Sequence, residues 1–98
     1  MTDSLIRSPD DLVAACRARR DELNISHETI DHLAGWATGY ASKVLAPDPM
    51  KGLGPVSLPA LLGVLGVALV MVEDTAQVER MRDKWTKRKR PQRKLPSD

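Results

Sequence analysis

The chain has 98 residues, 42% of them apolar, which is the size of one domain with a modest core and leaves little room for a second. Aromatic residues make up only 3%, with no Phe, so the core must be built from Leu, Val, Ile, Ala and Met, which points to helices. The formal charge of +2 conceals a split, with six basic against eleven acidic side chains over residues 1–79 and nine basic against two acidic over 80–98, so a basic arm either meets a polyanion or stays solvated beside an acidic body.

Residues 1–8 read as an N-terminal arm. Ser8 as N-cap, Pro9 at the first helical position, and Asp10 and Asp11 in the first turn predict a helix over about 9–23, closing near Asn24. Leu12, Cys16 and Leu23, flanked by Val13 and Ala15, form its apolar stripe, and Arg17, Arg19 and Arg20 are expected on its wet side. A single cysteine excludes an internal disulfide; with no signal-like N-terminus, the expected location is cytoplasmic.

A second cap at Ser26, before His27, Glu28 and Thr29, starts a helix of two to three turns with Ile30, Leu33 and Ala34 on one buried face. Gly35 ends it, and Trp36 reads as core. A third short segment over 39–45 turns Ala41, Val44 and Leu45 inward. Two short helices joined by a tight glycine turn form a helix-turn-helix.

Three prolines and two glycines over 46–55 make that stretch a surface loop, in which Lys51 is either a phosphate clamp or a solvated side chain. Ser57 opens a fourth helix, with Pro59 in its first turn, running to about Leu65 and ended by Gly66. The apolar run over 58–72 contains Pro59 and two glycines and is shorter than the roughly 20 residues of a membrane span, so no membrane association is expected. Within it, residues 67–72 are aliphatic and half of them β-branched, which favours a short strand used for dimerisation; pairing within one chain, or a helix, are the alternatives.

Asp74 or Thr75 caps a last helix over about 76–87, with Val78, Met81 and Trp85 on one side; packing of Trp85 on the body or over a dimer contact is favoured, with partial exposure the alternative. Beyond it Lys87, Arg88, Lys89, Arg90, Arg93 and Lys94 form a basic tail, in which Pro91 and Pro96 prevent a continuous helix. The expected architecture is all-α: a helix-turn-helix bundle of about five helices, with a DNA-binding unit over 9–66, a strand and C-terminal helix over 67–89, and a tail over 90–98 without regular structure.

The stretch from Ser26 to Leu45 resembles the Cro and lambda-repressor family, also called the xenobiotic-response-element family. The resemblance rests on Ser26 before the second helix, Ala34-Gly35 followed by the large Trp36 at the turn, and Tyr40-Ala41-Ser42-Lys43-Val44 along the third helix. It implies that the face bearing Thr38, Gly39, Tyr40, Ser42 and Lys43 enters the major groove of operator DNA. The family's first two base-reading positions fall on Thr38 and Gly39 and a later one on Lys43, although Gly39 has no side chain to read with. Lys43 suits the O6 and N7 of guanine, Thr38 a thymine methyl or a phosphate, and Tyr40 a sugar-phosphate contact. Where the family often has Gln bracing a phosphate, this chain has His27, beside Ser26 and the free N–H groups of the helix start.

Nothing in the sequence calls for catalysis. His27 and His32 lie on different helical faces with no cysteine or carboxylate cluster to complete a metal site, and Cys16 sits in an apolar stripe without a paired base. No phosphate-cradling glycine loop, nucleophile elbow or metalloprotease signature is present, so neither an enzyme nor a cofactor is expected. The expected function is a repressor-like regulator binding double-stranded DNA as a homodimer at a palindromic operator. The alternative is a phage packaging adaptor or antitoxin-type module that turns the same motif toward a protein partner.

Overall fold

Short helices follow one another along the chain, each bounded by residues suited to its ends. The computed structural model describes residues 5–49 and 52–88, and these are all-helical, with no strand among them. Helix α1 spans Pro9–Leu23; Ser8 accepts the Asp11 amide at its start, and Asn24, left-handed at φ 55°, closes it. Helix α2 is His27–Ala34, capped by Ser26 through the Thr29 amide and closed by Gly35 at φ 72°. Helix α3 is Tyr40–Val44, α4 is Ser57–Leu65 and α5 is Thr75–Met81, with a 3-10 turn at Arg82–Lys84.

The core consists of Val13 and Cys16 from α1, Ile30 from α2, Ala41, Val44 and Leu45 from α3 and its end, and Leu61 and Leu65 from α4. The expected inward set of the third helix, Ala41, Val44 and Leu45, is fully sequestered, and α4 lies against both α1 and α2. Helix α4 carries no charge and little amphipathic contrast, because its neighbours cover it from two sides.

Several expectations about which faces are wet are corrected. Leu33 is 61% exposed, because α2 turns Ile30 and the carboxylate of Asp31 inward and leaves Leu33 about a third of a turn away. Arg17, Arg19 and Arg20 are half-buried rather than on a solvated side. Arg17 Nη1 donates to the carbonyls of Leu45 and Ala46 at 3.4 and 3.3 Å, and Arg19 Nε donates to the Leu65 carbonyl at 3.0 Å. Two cations thus satisfy the open carbonyl ends of α3 and α4, where the helix dipole favours positive charge.

The chain beyond Gly66 also departs from expectation. Residues 67–72 form neither strand nor helix within one chain, because no described segment offers them an edge. The last helix ends at Met81 instead of continuing to about residue 87, and it buries no residue. A helix this short draws its stability from packing, and here that support is absent, so the chain tightens into a 3-10 turn. Trp85 is 58% exposed and is not among the hydrophobic side chains packed against the core.

Candidate nucleic-acid interface

The region singled out by sequence is the α2–turn–α3 unit, and its geometry depends on one buried carboxylate. Asp31 is 5% exposed; its Oδ2 accepts the Gly39 amide and its Oδ1 the Ala41 amide, both at 2.8 Å. These two amides lie at the start of α3, where no preceding turn provides carbonyls for them. Gly39, the N-cap residue that precedes α3, has no side chain to cap with, and Asp31 supplies the cap from the neighbouring helix. Pairing with two amides is also what makes burying the carboxylate tolerable.

The turn itself is fixed by backbone geometry at two glycines. Gly35 and Gly39 have φ 72° and 91°, values that side chains disfavour, while open space around both shows that backbone conformation, not crowding, selects glycine. Between them, the Trp36 amide donates to the Asp31 carbonyl at 2.8 Å and the Tyr40 amide to the Ala37 carbonyl at 3.1 Å. The rings of Trp36 and Tyr40 meet edge to face at 4.7 Å, and Trp36 is half-buried against the core.

This framework sorts the sequence-derived candidates. Tyr40 is half-buried and its hydroxyl meets Ser57 Oγ at 3.0 Å, so it ties α3 to α4. Gly39 contributes its amide to Asp31, and exposed Ser42 donates its hydroxyl to the Gly39 carbonyl at 2.8 Å. The side chains of Thr38 and Lys43 are exposed and make no hydrogen bond or ion pair among the described residues. Lys43 is the cation of α3.

At the start of α2, Ser26 Oγ accepts the Thr29 amide at 3.1 Å and lies 3.0 Å from the Thr29 hydroxyl. His27 is half-buried with its Nε2 against Arg20 Nη1. A guanidinium only donates, so Nε2 accepts and the ring proton sits on Nδ1. Arg20, which also pairs with Asp21 at 2.8 Å, therefore brings a cation to the start of α2. Sequence reading missed that placement because Arg20 lies seven residues away on another helix.

Lys87 and Arg88 are exposed and follow the 3-10 turn, apart from the α2–turn–α3 unit in the chain. Lys51, Lys89 and Arg90 lie outside the described residues, as do Arg93 and Lys94. No group of three or more His, Cys, Asp or Glu among the described residues is placed to hold a metal ion, and no described helix is long and apolar enough to cross a membrane. Burial pushes the Cys16 thiol up from its ordinary range, consistent with a packed side chain.

Compared with known proteins, the chain matches no family model, no curated protein and no solved structure.

Proposed function

We propose that this chain is a sequence-specific double-stranded DNA-binding regulator, repressor-like and acting as a homodimer on a palindromic operator. The observation that carries the reading is the Asp31 clamp, which fixes α3 across α2 by two 2.8 Å bonds while Thr38 and Lys43 remain exposed. A rigid short helix with one unpaired cation suits base reading, because discrimination between base pairs depends on donors held in place before contact. Ser26, the Nδ1–H of His27 and Arg20 are the groups for the flanking phosphate, which sets register rather than sequence. The basic residues from Lys87 onward add affinity without sequence preference.

A second reading is favoured by the sparse charge of the unit: Lys43 is the one cation of α3, α2 carries Glu28 in its first turn, and the body behind is acidic. On that reading the exposed surface, including Leu33, docks a protein. Selection of bound duplexes from a randomised pool separates the two. DNA reading predicts enrichment of a dyad-symmetric motif that Lys43→Ala blurs; a pool that stays random after repeated rounds overturns it.

A further inference from the structure

We propose that residues 67–73 form an edge strand for a second copy of this chain, paired antiparallel with Val70 on the twofold axis. The inference rests on the dimeric reading above and specifies its interface.

From Ala68 to Glu73 no backbone N–H or C=O is hydrogen-bonded among the described residues. The segment runs without bend or turn and contains no positive φ. Both ends are pinned. At one, the Val67 amide donates to the Leu62 carbonyl at 3.0 Å; at the other, Asp74 accepts from Arg7 Nε at 2.7 Å and from the Gln77 amide at 3.3 Å. Between those pins Val70 and Met71 are 82% and 98% exposed. A pinned row of free amides and carbonyls with aliphatic side chains is a template for strand addition.

The segment's own sequence and surroundings favour a second copy as the occupant. With Val70 on the axis, Leu69 faces the partner's Met71, and Ala68 faces the partner's Val72, so that apolar residues meet across the ladder. Val67 then faces the partner's Glu73, a carboxylate that makes no ion pair among the described residues. Beside that position lies Arg19, which pairs with Glu22 through Nη1 and whose Nη2 is 3.9 Å from where a Cβ on Gly66 would stand. Antiparallel pairing thus brings the acidic end of each copy to the Arg19 end of the other, whereas parallel pairing stacks Glu73 against Glu73. A bare two-stranded ribbon is marginal in water, and an open groove of about 970 Å³ beside the segment, walled by Leu5, Ile6, Leu12 and Leu62, gives the apolar side chains further cover.

The test uses the full chain without DNA, so that its result is independent of operator binding. Light scattering at micromolar concentration is expected to give twice the 10.8 kDa chain mass. Val70→Pro, which removes an amide that bonds nothing among the described residues, and Glu73→Lys are expected to weaken association at least tenfold and several-fold, respectively, with the helical thermal melt unchanged. Under oxidised glutathione, Val70→Cys is expected to form a disulfide-linked dimer, Leu69→Cys to lag behind it, and the parent chain with buried Cys16 to stay uncrosslinked. A monomer throughout the range overturns the dimeric reading together with the interface. A dimer indifferent to both Val70→Pro and Glu73→Lys leaves that reading standing and overturns the strand, and faster cross-linking at Leu69→Cys than at Val70→Cys overturns the register.

Discussion

Replacing Asp31 with Ala removes both acceptors at the start of α3 at once. The Ala41 amide belongs to a residue with 0% exposure, so water cannot replace the missing partner, and an unsatisfied buried donor costs about 1–3 kcal/mol. The Gly39 amide is half-buried and can recruit water, so its loss costs about 0.5–1.5 kcal/mol. Removing a buried carboxylate also relieves its desolvation, which keeps the total in the lower half of the summed range, about 1.5–3 kcal/mol. For a domain of this size that corresponds to a drop of roughly 6–24 °C in Tm. Asp31→Asn keeps one acceptor but turns an NH2 group toward a backbone N–H, so its loss falls between the parent and Asp31→Ala. Thermal melts followed by circular dichroism, paired with hydrogen exchange, measure both parts: the Ala41 amide is expected to lose protection before the amides of α1 and α4. Melting of Asp31→Ala within about 3 °C of the parent, with Ala41 still protected, would refute the idea that this carboxylate holds the turn.

Lys43→Ala is expected to reduce discrimination between operator and random duplex by about 1–3 kcal/mol with the fold intact, and an unchanged preference in a competition gel shift contradicts it. Removal of residues 87–98 is expected to weaken all duplex binding alike and lower the log–log salt slope by about 0.9 for each phosphate that the shortened chain no longer neutralises, as read by fluorescence anisotropy; an identical slope contradicts it. The Cys16 thiol, pushed up by burial, is expected to react with a thiol reagent at pH 8 only as fast as the protein opens, and labelling at the rate seen in urea contradicts that. The Asp74 carboxyl is held below its ordinary 3.8 first by the hydrogen bond from Arg7 and then by the Gln77 amide. A depressed value in the folded state means that the α5 cap is fully present above about pH 4 and is lost as pH falls through the lowered value. The Gln77 amide shift in an NMR titration reports it, and a midpoint at or above 3.8 contradicts it.

Helix boundaries were the most legible part of the sequence, because they are written in single residues: Ser8, Ser26 and Asp74 start helices, and Gly35 and Gly66 end them, as local chemistry dictates. What sequence spacing could not convey was which polar residues turn inward. Asp31 shares the inward arc of α2 with Ile30, but its purpose becomes visible only when α3 is brought against it. Arg17 and Arg19 read as surface cations until the ends of α3 and α4 arrive beside them. In the same way Leu33 fits an apolar period yet points away, since a buried Asp takes the place a period count assigns to an aliphatic residue. The aliphatic run at 67–72 has strand propensity without a strand, because a ladder requires an edge that the described helices of one chain do not supply.

Contact between α3 and DNA is tested most directly by mapping amide shifts of the labelled chain on titration with the duplex it selects. Base reading by the clamped helix predicts changes concentrated at Ser26–Thr29 and Thr38–Lys43, together with the Arg20 and Lys43 side chains. Changes confined to the basic residues beyond Lys87, with Thr38 and Lys43 unmoved, would contradict it.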